Sequence, residues 1–131
     1  KMPILWVDYL QIMPSPEGFH AEERMAIKAV VSGLRSIANT YDIPVFAISS
    51  VNRASYDKVT SLSALGGSSH IEYGVDSVIC LGFDAGAASC AKAMSEPIRS
   101  LRLTTLKNRY APISTSDVQF DCAHATFTTA A

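Results

Sequence analysis

The chain opens with a run of apolar residues that ends in a carboxylate. Residues 4–7 are Ile, Leu, Trp and Val, with Pro3 directly before them and Asp8 directly after them. Four consecutive apolar residues between a proline and an acid are typical of a short strand that is buried on both faces. The pattern therefore predicts a buried strand over 4–7, with Asp8 at its carboxyl end.

A long stretch of helical periodicity follows. Between Ala21 and about Tyr41, apolar residues recur three and four positions apart, and charged residues occupy the positions between them. This is the pattern of an amphipathic helix that packs on a sheet. Asp42 and Pro44 mark the end of the predicted helix. The apolar positions are Met25, Ile27, Val30, Val31, Leu34, Ile37 and Ala38.

Two further apolar runs predict strands. Residues 44–49 predict a second buried strand and residues 77–82 a third. A strand, a helix and a strand of this length form a right-handed crossover with parallel strands. The second strand is therefore expected to end at the same sheet edge as Asp8 and to bring Ser49, Ser50, Asn52 and Arg53 there.

The last third of the chain has a different pattern. From Arg99 onward, apolar and polar residues alternate with a period of two, in segments separated by turn residues. Such alternation predicts antiparallel strands, at least one of them half exposed. Residues 107–112 lie between two of these segments. No internal repeat or linker divides the chain, so we expect one domain or part of one.

Composition sets limits on the class of protein. At 131 residues, 48% hydrophobic and 18% charged, the chain has enough apolar residues for a core. No stretch approaches the roughly 18 apolar residues of a membrane-spanning helix. We therefore expect no membrane partner and a cytoplasmic location. The net charge of -1 means that any contact with nucleic acid must use a local basic surface.

The cysteines favour neither a disulfide framework nor a zinc site. Their number is odd, and no two of them have a CxxC spacing. We expect reduced thiols, with Cys80 as a small core residue.

The position of Asp8 suggests a chemical role. Open α/β sheets bind their ligands at the carboxyl edge of the strands. In nucleotide hydrolases an aspartate at this edge holds Mg²⁺, directly or through water, because Mg²⁺ prefers oxygen ligands and retains several waters. Asp8 is therefore a candidate Walker B acid. The alternative is an aspartate that only opens the turn after a strand.

Four sequence blocks then follow one another in a fixed order. They are VDYLQ at 7–11, AISSVNR at 47–53, SSHIEYGVD at 68–76 and KNRYAP at 107–112. Together they closely resemble the ATPase domain of DnaB-type replicative helicases, over nearly the entire chain. The resemblance implies an α/β, RecA-like P-loop NTPase fold, with a mostly parallel sheet flanked by helices and antiparallel strands at the C-terminal end. It also implies an enzyme that uses ATP and Mg²⁺ to unwind DNA as a hexameric ring.

The same resemblance assigns roles at the nucleotide. Asp8 matches the Walker B acid, and Ser50 stands where the family usually has a glutamine that senses the γ-phosphate. Lys107 and Arg109 match a basic pair that enters the neighbouring subunit's site, with Arg109 as the arginine finger. A guanidinium that stabilises a transferring phosphoryl group is worth about 10³- to 10⁵-fold in rate. The alternative for Lys107 and Arg109 is a solvated strand end.

The resemblance also implies contacts with DNA and proteins. Two loops, 13–23 and 52–69, face the channel in this family, and the second touches the backbone of single-stranded DNA. Backbone amides near glycines approach phosphates closely. The alternative is a surface loop without a ligand. Implied partners are single-stranded DNA, further copies of the chain, primase and a helicase loader. The candidate DNA contacts are Arg53, Lys58, Gly66, Gly67, Ser68 and Ser69.

Several departures from the family pattern bear on function. Serine at 50 is too short to act as the usual glutamine does, and the arginine and glutamine expected at Gly66 and Tyr73 are absent. No GxxxxGK[ST] phosphate loop occurs in the sequence. We therefore expect residues 1–131 to be the C-terminal part of a single ATPase domain without its phosphate-loop half, inactive as an isolated fragment.

Two other interpretations stay open at this point. One is a hydrolysis-deficient RecA-like DNA-binding or helicase-loader-type protein, which Ser50 favours. The other is a Rossmann-like small-molecule enzyme. Against the second stand the lack of a GxGxxG motif after a strand and the absence of a catalytic-looking cluster around any histidine.

Overall fold

The structure, a computed structural model, describes residues 2–13, 23–50, 73–83 and 92–129. These residues belong to two units. The first unit contains residues 2–13, 23–50 and 73–75, and the second contains 76–83 and 92–129. Most of the two predicted channel loops, 13–23 and 52–69, lies outside the described residues.

The first unit is a strand, a helix and a strand. Strand β1 (Leu5–Val7) leads into a 3-10 turn (Leu10–Ile12), and helix α1 (Glu23–Tyr41) precedes strand β2 (Val45–Ala47). Strands β1 and β2 pair in parallel, with Trp6 opposite Phe46. The predicted parallel arrangement is confirmed.

Helix α1 ends where the sequence predicts. Asp42 has a φ of 50°, the left-handed conformation that commonly closes a helix. The backbone N–H of Ile43 donates to the carbonyl of Ala38 at 3.2 Å. This bond is the six-to-one contact of a Schellman motif, and it satisfies a carbonyl that the helix itself leaves unpaired.

The core of the first unit lies between α1 and one face of the small sheet. Its buried members are Leu10, Val30, Val31 and Leu34. The predicted apolar face of the helix is therefore confirmed at its centre, whereas Met25 at one end is 43% exposed. Partly buried residues that pack against this core are Leu5, Val7, Met13, Ile27, Val45 and Val75.

The expectation that β1 and β2 are buried on both faces is wrong. Trp6 is 66% exposed and Phe46 is 47% exposed. Their rings stack on each other, with centroids 4.6 Å apart and planes 15° apart. Successive side chains of a strand point to opposite faces. Helix α1 therefore covers the face of Leu5 and Val7, and Trp6 and Phe46 occupy the other face.

The second unit is an antiparallel sheet. Its strands, in spatial order, are β3 (Ser77–Gly82), β4 (Ile98–Asn108), β5 (Thr115–Asp121) and β6 (Thr126–Thr129). Every neighbouring pair is antiparallel. The predicted antiparallel strands of the last third are confirmed.

Strand β3 has the predicted bounds but not the predicted burial. Val78 and Cys80 are buried, whereas Ile79 between them is 63% exposed. The strand belongs to an antiparallel sheet, and such sheets commonly pack one face on a core and leave the other face in solvent. The expectation of a strand buried on both faces is wrong here too, because, as in β1, only one face of the strand is covered.

The pairing of β3 with β4 contains a bulge. Val78 lies opposite Lys107 and Ile79 lies opposite Thr105. Leu106 is therefore an extra residue on β4, and such a residue bends a strand and increases its twist. None of the helices among the described residues is long and apolar enough to cross a membrane.

Candidate functional site

The carboxyl ends of β1 and β2 form one edge of the first unit. Asp8 directly follows β1 and is exposed. Backbone hydrogen bonds continue past the strand ends: Ile48 N–H donates to the carbonyl of Val7, and Leu10 N–H donates to the carbonyl of Ile48, each at 2.9 Å. The Asp8–Tyr9 peptide bond is cis. The backbone around Asp8 is thus held on both sides by bonds to one residue of the neighbouring segment.

Gln11 connects this edge to the segment after β2. Its Nε2 donates to Ser49 Oγ at 3.0 Å and to the carbonyl of Ser50 at 3.4 Å, and its Oε1 accepts from Ser50 N–H at 3.4 Å. The structure therefore brings Asp8 and Ser50 to the same edge, as predicted. Gln11 was not among the predicted site residues, although an amide three positions after the acid is a visible signal.

The chemistry of this edge is compatible with Mg²⁺. Within residues 2–13, 23–50, 73–83 and 92–129, no three His, Cys, Asp or Glu side chains come together as a metal cage. Mg²⁺ does not need one, because it retains waters and commonly uses one or two carboxylates together with substrate phosphates. An exposed carboxylate at a sheet edge, as at Asp8, fits this kind of ligand set.

The second candidate region lies where β4 ends. Lys107 belongs to β4, one residue after the bulge, and Arg109 directly follows the strand. Arg109 N–H donates to the carbonyl of Asp76 at 3.0 Å. Its Nη1 donates to Asp76 Oδ1, also at 3.0 Å. The predicted basic pair thus lies at a strand end. This position agrees both with a role at a neighbouring subunit's nucleotide and with the alternative of a solvated strand end. Arg109 has an acidic partner there.

Neighbouring polar contacts fix the same turn. Ser77 Oγ donates to Asn108 Oδ1 at 3.2 Å, and the same oxygen accepts from Tyr110 N–H at 3.1 Å. Asn108 thereby links the start of β3 to the turn that follows β4. The segment that carries Arg109 is therefore ordered by both backbone and side-chain bonds.

The predicted site residues fall into three groups. Asp8 and Ser50 belong to the first unit, and Lys107 and Arg109 belong to the second. The candidate DNA contacts lie outside the described residues; they are Arg53, Lys58, Gly66, Gly67, Ser68 and Ser69.

Cys80 has the predicted structural position. It is buried in the second unit, and burial raises the pKa of its thiol. A raised pKa keeps the thiol protonated at neutral pH, and a protonated thiol is a poor nucleophile. Cys80 therefore acts as a small apolar residue.

Solved structures identify the class of fold. One solved ATPase domain matches with a TM-score of 0.83, covering 100% of this chain and 45% of that chain at 24% identity. A DnaB-like replicative helicase, solved in a study of its interactions with primase, matches with a TM-score of 0.73, covering 92% of this chain and 29% of that chain at 24% identity. The fold of this chain is thus the RecA-like fold of these ATPase domains, which confirms the predicted fold class. The expected mostly parallel sheet is not seen within the described residues, where β1 and β2 pair in parallel and the other neighbouring strands are antiparallel.

The family follows from the sequence match. The family model for the DnaB-like helicase C terminal domain matches residues 1–129, and the chain belongs to this family. The predicted resemblance is confirmed, and the Rossmann-like interpretation is set aside.

Curated relatives agree with this assignment. The replicative DNA helicase DnaB of Treponema pallidum (strain Nichols) is 28% identical over 127 residues, which cover 97% of this chain and 26% of the relative. A probable plasmid replicative DNA helicase of Chlamydia trachomatis serovar L2 is 26% identical, covering 92% and 25%. A probable replicative DNA helicase of Trieres chinensis is 28% identical, covering 92% and 27%. The chain spans about a quarter of the length of these relatives.

Proposed function

We propose that this chain is the C-terminal part of the RecA-like ATPase domain of a longer replicative DNA helicase. The family match over residues 1–129 is the observation that carries the proposal. The names of the relatives support it, because each is called a replicative helicase. The helicase couples ATP hydrolysis to movement along single-stranded DNA and to duplex unwinding.

At the nucleotide, we assign Asp8 to the water shell of Mg²⁺. The exposed position of Asp8 and the two backbone bonds that fix its segment support this role. Bound Mg²⁺ neutralises charge on the phosphates. Ser50 lies at the same edge and is held through Gln11, which keeps the segment after β2 beside the nucleotide.

Lys107 and Arg109 act on the nucleotide of a neighbouring subunit. A planar guanidinium that is always charged suits the stabilisation of a transferring phosphoryl group. The position of Lys107 near the end of β4, and of Arg109 in the turn that Asn108 orders, supports this assignment. The functional assembly is then a hexameric ring of identical subunits.

The ring encloses single-stranded DNA and works with other replication proteins. We assign the DNA contacts to the second loop, and primase and a helicase loader are the proposed protein partners. One structural neighbour, a DnaB-like replicative helicase, interacts with primase, which supports the first of these partners. Since the proposed work is replication, we place the protein in the cytoplasm. The loop contacts are Arg53, Lys58, Gly66, Gly67, Ser68 and Ser69.

The test is a conservative change at Asp8 in the full-length protein. Asp8→Asn keeps the shape of the side chain but removes its charge, so Mg²⁺-dependent ATPase and unwinding rates fall at least about tenfold. Asp42→Asn is the matched control, because it removes an exposed charge from the same unit and Asn also adopts the left-handed backbone found there. Its rates remain at the wild-type level. Wild-type turnover by Asp8→Asn would contradict the assignment.

One alternative has its own supporting observation. Serine at position 50, where the family usually has glutamine, favours a RecA-like DNA-binding or loader-type protein that has lost hydrolysis. Such a protein would bind single-stranded DNA but show no DNA-stimulated ATPase in the wild-type form. The helicase proposal requires DNA-stimulated hydrolysis, so the wild-type measurement separates the two.

A further inference from the structure

Asp76 makes two contacts that the proposed function does not use. It directly precedes β3, and its carbonyl accepts from Arg109 N–H at 3.0 Å. Its carboxylate Oδ1 accepts from Arg109 Nη1, also at 3.0 Å. One residue thus holds both the backbone and the side chain of the proposed finger. Asp76 is also the last residue of the third sequence block, SSHIEYGVD.

We propose that Asp76 is a positioning residue for Arg109. It holds the guanidinium in the orientation in which the turn presents it to the neighbouring subunit's nucleotide. The inference rests on the proposed function, since it needs Arg109 to act on that nucleotide. Asp76 itself touches neither nucleotide nor metal in this role.

The pairing of β3 with β4 explains why this residue can do so. Ser77 lies opposite Asn108, so the next residues outward on each strand, Asp76 and Arg109, also face each other. The main chain therefore sets how far apart the two backbones are, and at this separation Asp76 Oδ1 lies 3.0 Å from Arg109 Nη1. A long side chain such as that of arginine loses much rotamer freedom when it is ordered. A carboxylate at fixed distance, bonded to one N–H of a rigid planar group, supplies that order before the nucleotide arrives.

The exposure of the pair determines how strong the effect is. The Arg109 side chain is 37% exposed and that of Asp76 is 50% exposed. Ion pairs at this level of exposure are weak and screened by solvent. Asp76 therefore biases the orientation of free Arg109. The pair is too weak to keep the guanidinium from moving to a phosphate when nucleotide binds. We expect loss of the carboxylate to lower kcat about fivefold, far less than loss of the guanidinium.

The experiment measures ATP hydrolysis by the full-length protein in the presence of single-stranded DNA. Asp76→Asn is expected to lower kcat about fivefold and to change KM for ATP by less than about twofold, because the finger stabilises the transition state and not the bound substrate. Asp76→Glu retains a carboxylate and recovers at least about half of the lost rate. In an Arg109→Ala background, Asp76→Asn has no further effect, since the group that it positions is gone.

The second unit offers a matched control, an ion pair between β4 and β5. Arg102 pairs with Asp117 at 2.7 Å, and their side chains are 35% and 57% exposed. Asp117→Asn breaks an ion pair of the same type and exposure, away from Arg109. We expect its kcat and KM to equal those of the wild type. A loss of kcat in Asp117→Asn equal to that in Asp76→Asn would mean that the effect is general destabilisation of the sheet, which overturns the inference.

The remaining outcomes separate this inference from the proposed function. Wild-type or higher kcat in Asp76→Asn, with Arg109→Ala inactive, overturns the positioning role and leaves the finger intact. Wild-type kcat in Arg109→Ala overturns the finger itself. Should Asp76→Asn not fold, Asp76→Ser carries the same prediction, with the melting temperature of Asp117→Asn as the reference for a folded variant.

Discussion

In the first unit a helix lies on one face of a two-stranded parallel sheet, and Asp8 stands at the sheet's carboxyl edge. In the second unit four antiparallel strands form the sheet, and Arg109 stands where one of them ends. Backbone bonds to Ile48 bracket the Asp8 segment, whereas Arg109 has in addition a side-chain bond to an acid. The position of Asp8 is thus set by main-chain hydrogen bonds and by the core. The position of Arg109 depends in part on an exposed ion pair.

This difference predicts how each unit responds to substitution. The buried residues of the first unit form one cluster between α1 and the small sheet, so changes there act through packing. In the second unit, ion pairs join strands or turn residues at partly exposed positions. Changes at those positions act through charge, and their effects are smaller.

The largest expected effect comes from mixing two kinds of subunit, one that lacks the Arg109 side chain and one that lacks the Asp8 charge. Full-length Arg109→Ala and Asp8→Asn proteins are each expected to hydrolyse ATP poorly. In an equal mixture, about a quarter of the interfaces of a randomly assembled ring pair an intact acid with an intact finger, so part of the activity returns. Steady-state ATPase over a range of mixing ratios measures this gain.

The control for the mixture is a subunit that carries both changes. Mixed with Arg109→Ala, it offers no interface with an intact finger, so no activity returns. If no ratio of the two single variants gains activity, Arg109 does not act across an interface. Asp8 and Arg109 then do not serve one nucleotide from two subunits.

An intermediate effect tests the packing of the first unit. A Cβ added at Gly74 would lie 2.6 Å from Val31 Cγ1, and Val31 is buried in the core. Valine in a helix has one strongly preferred rotamer, so Gly74→Ala is expected to destabilise the protein by about 1–3 kcal/mol. Urea unfolding followed by fluorescence of Trp6, the chain's single tryptophan, reports on the unit that contains both residues.

Gly33→Ala is expected to change the stability of the same unit in the opposite direction. Gly33 is an exposed residue of α1, and apart from the helix's own nearby backbone no atom lies within 4 Å of an added Cβ. Alanine in a helix interior is better than glycine by about 0.5–1 kcal/mol, so this variant is expected to be more stable. Equal stability changes in the two glycine variants would show that the contact between 73–75 and α1 is not tight.

Much of this fold could be predicted from local pattern. The parallel pairing of β1 with β2 followed from two apolar runs separated by a helical stripe, and the end of α1 followed from Asp42 and Pro44. The bonds from Gln11 to Ser49 and from Arg109 to Asp76 could not be predicted, because they join residues 38 and 33 positions apart. The exposure of Trp6 was missed for a related reason, since an apolar run does not indicate how many of its faces are covered.

The smallest expected effect concerns a turn of the second unit. Asp121 Oδ2 lies 2.8 Å from His124 Nδ1, and Oδ1 accepts from Ala123 N–H at 2.9 Å. The hydrogen bond with His124 is the main cause that lowers the pKa of Asp121, opposed by desolvation and aided by backbone N–H bonds. A carboxyl group with a lowered pKa in the folded state contributes stability above its unfolded pKa, and this contribution is lost as the pH falls through the folded value.

Asp121→Asn removes that contribution while its side-chain oxygen continues to accept the backbone bonds of the turn. We expect its melting temperature to lie about 1–2 °C below that of the wild type near about pH 7. The difference should shrink as the pH falls through the lowered pKa of Asp121 and vanish once the wild-type carboxyl group is also protonated. Scanning calorimetry at a series of pH values measures the difference. A deficit that persists unchanged at low pH would mean that Asp121 acts through the shape of the turn and not through its charge.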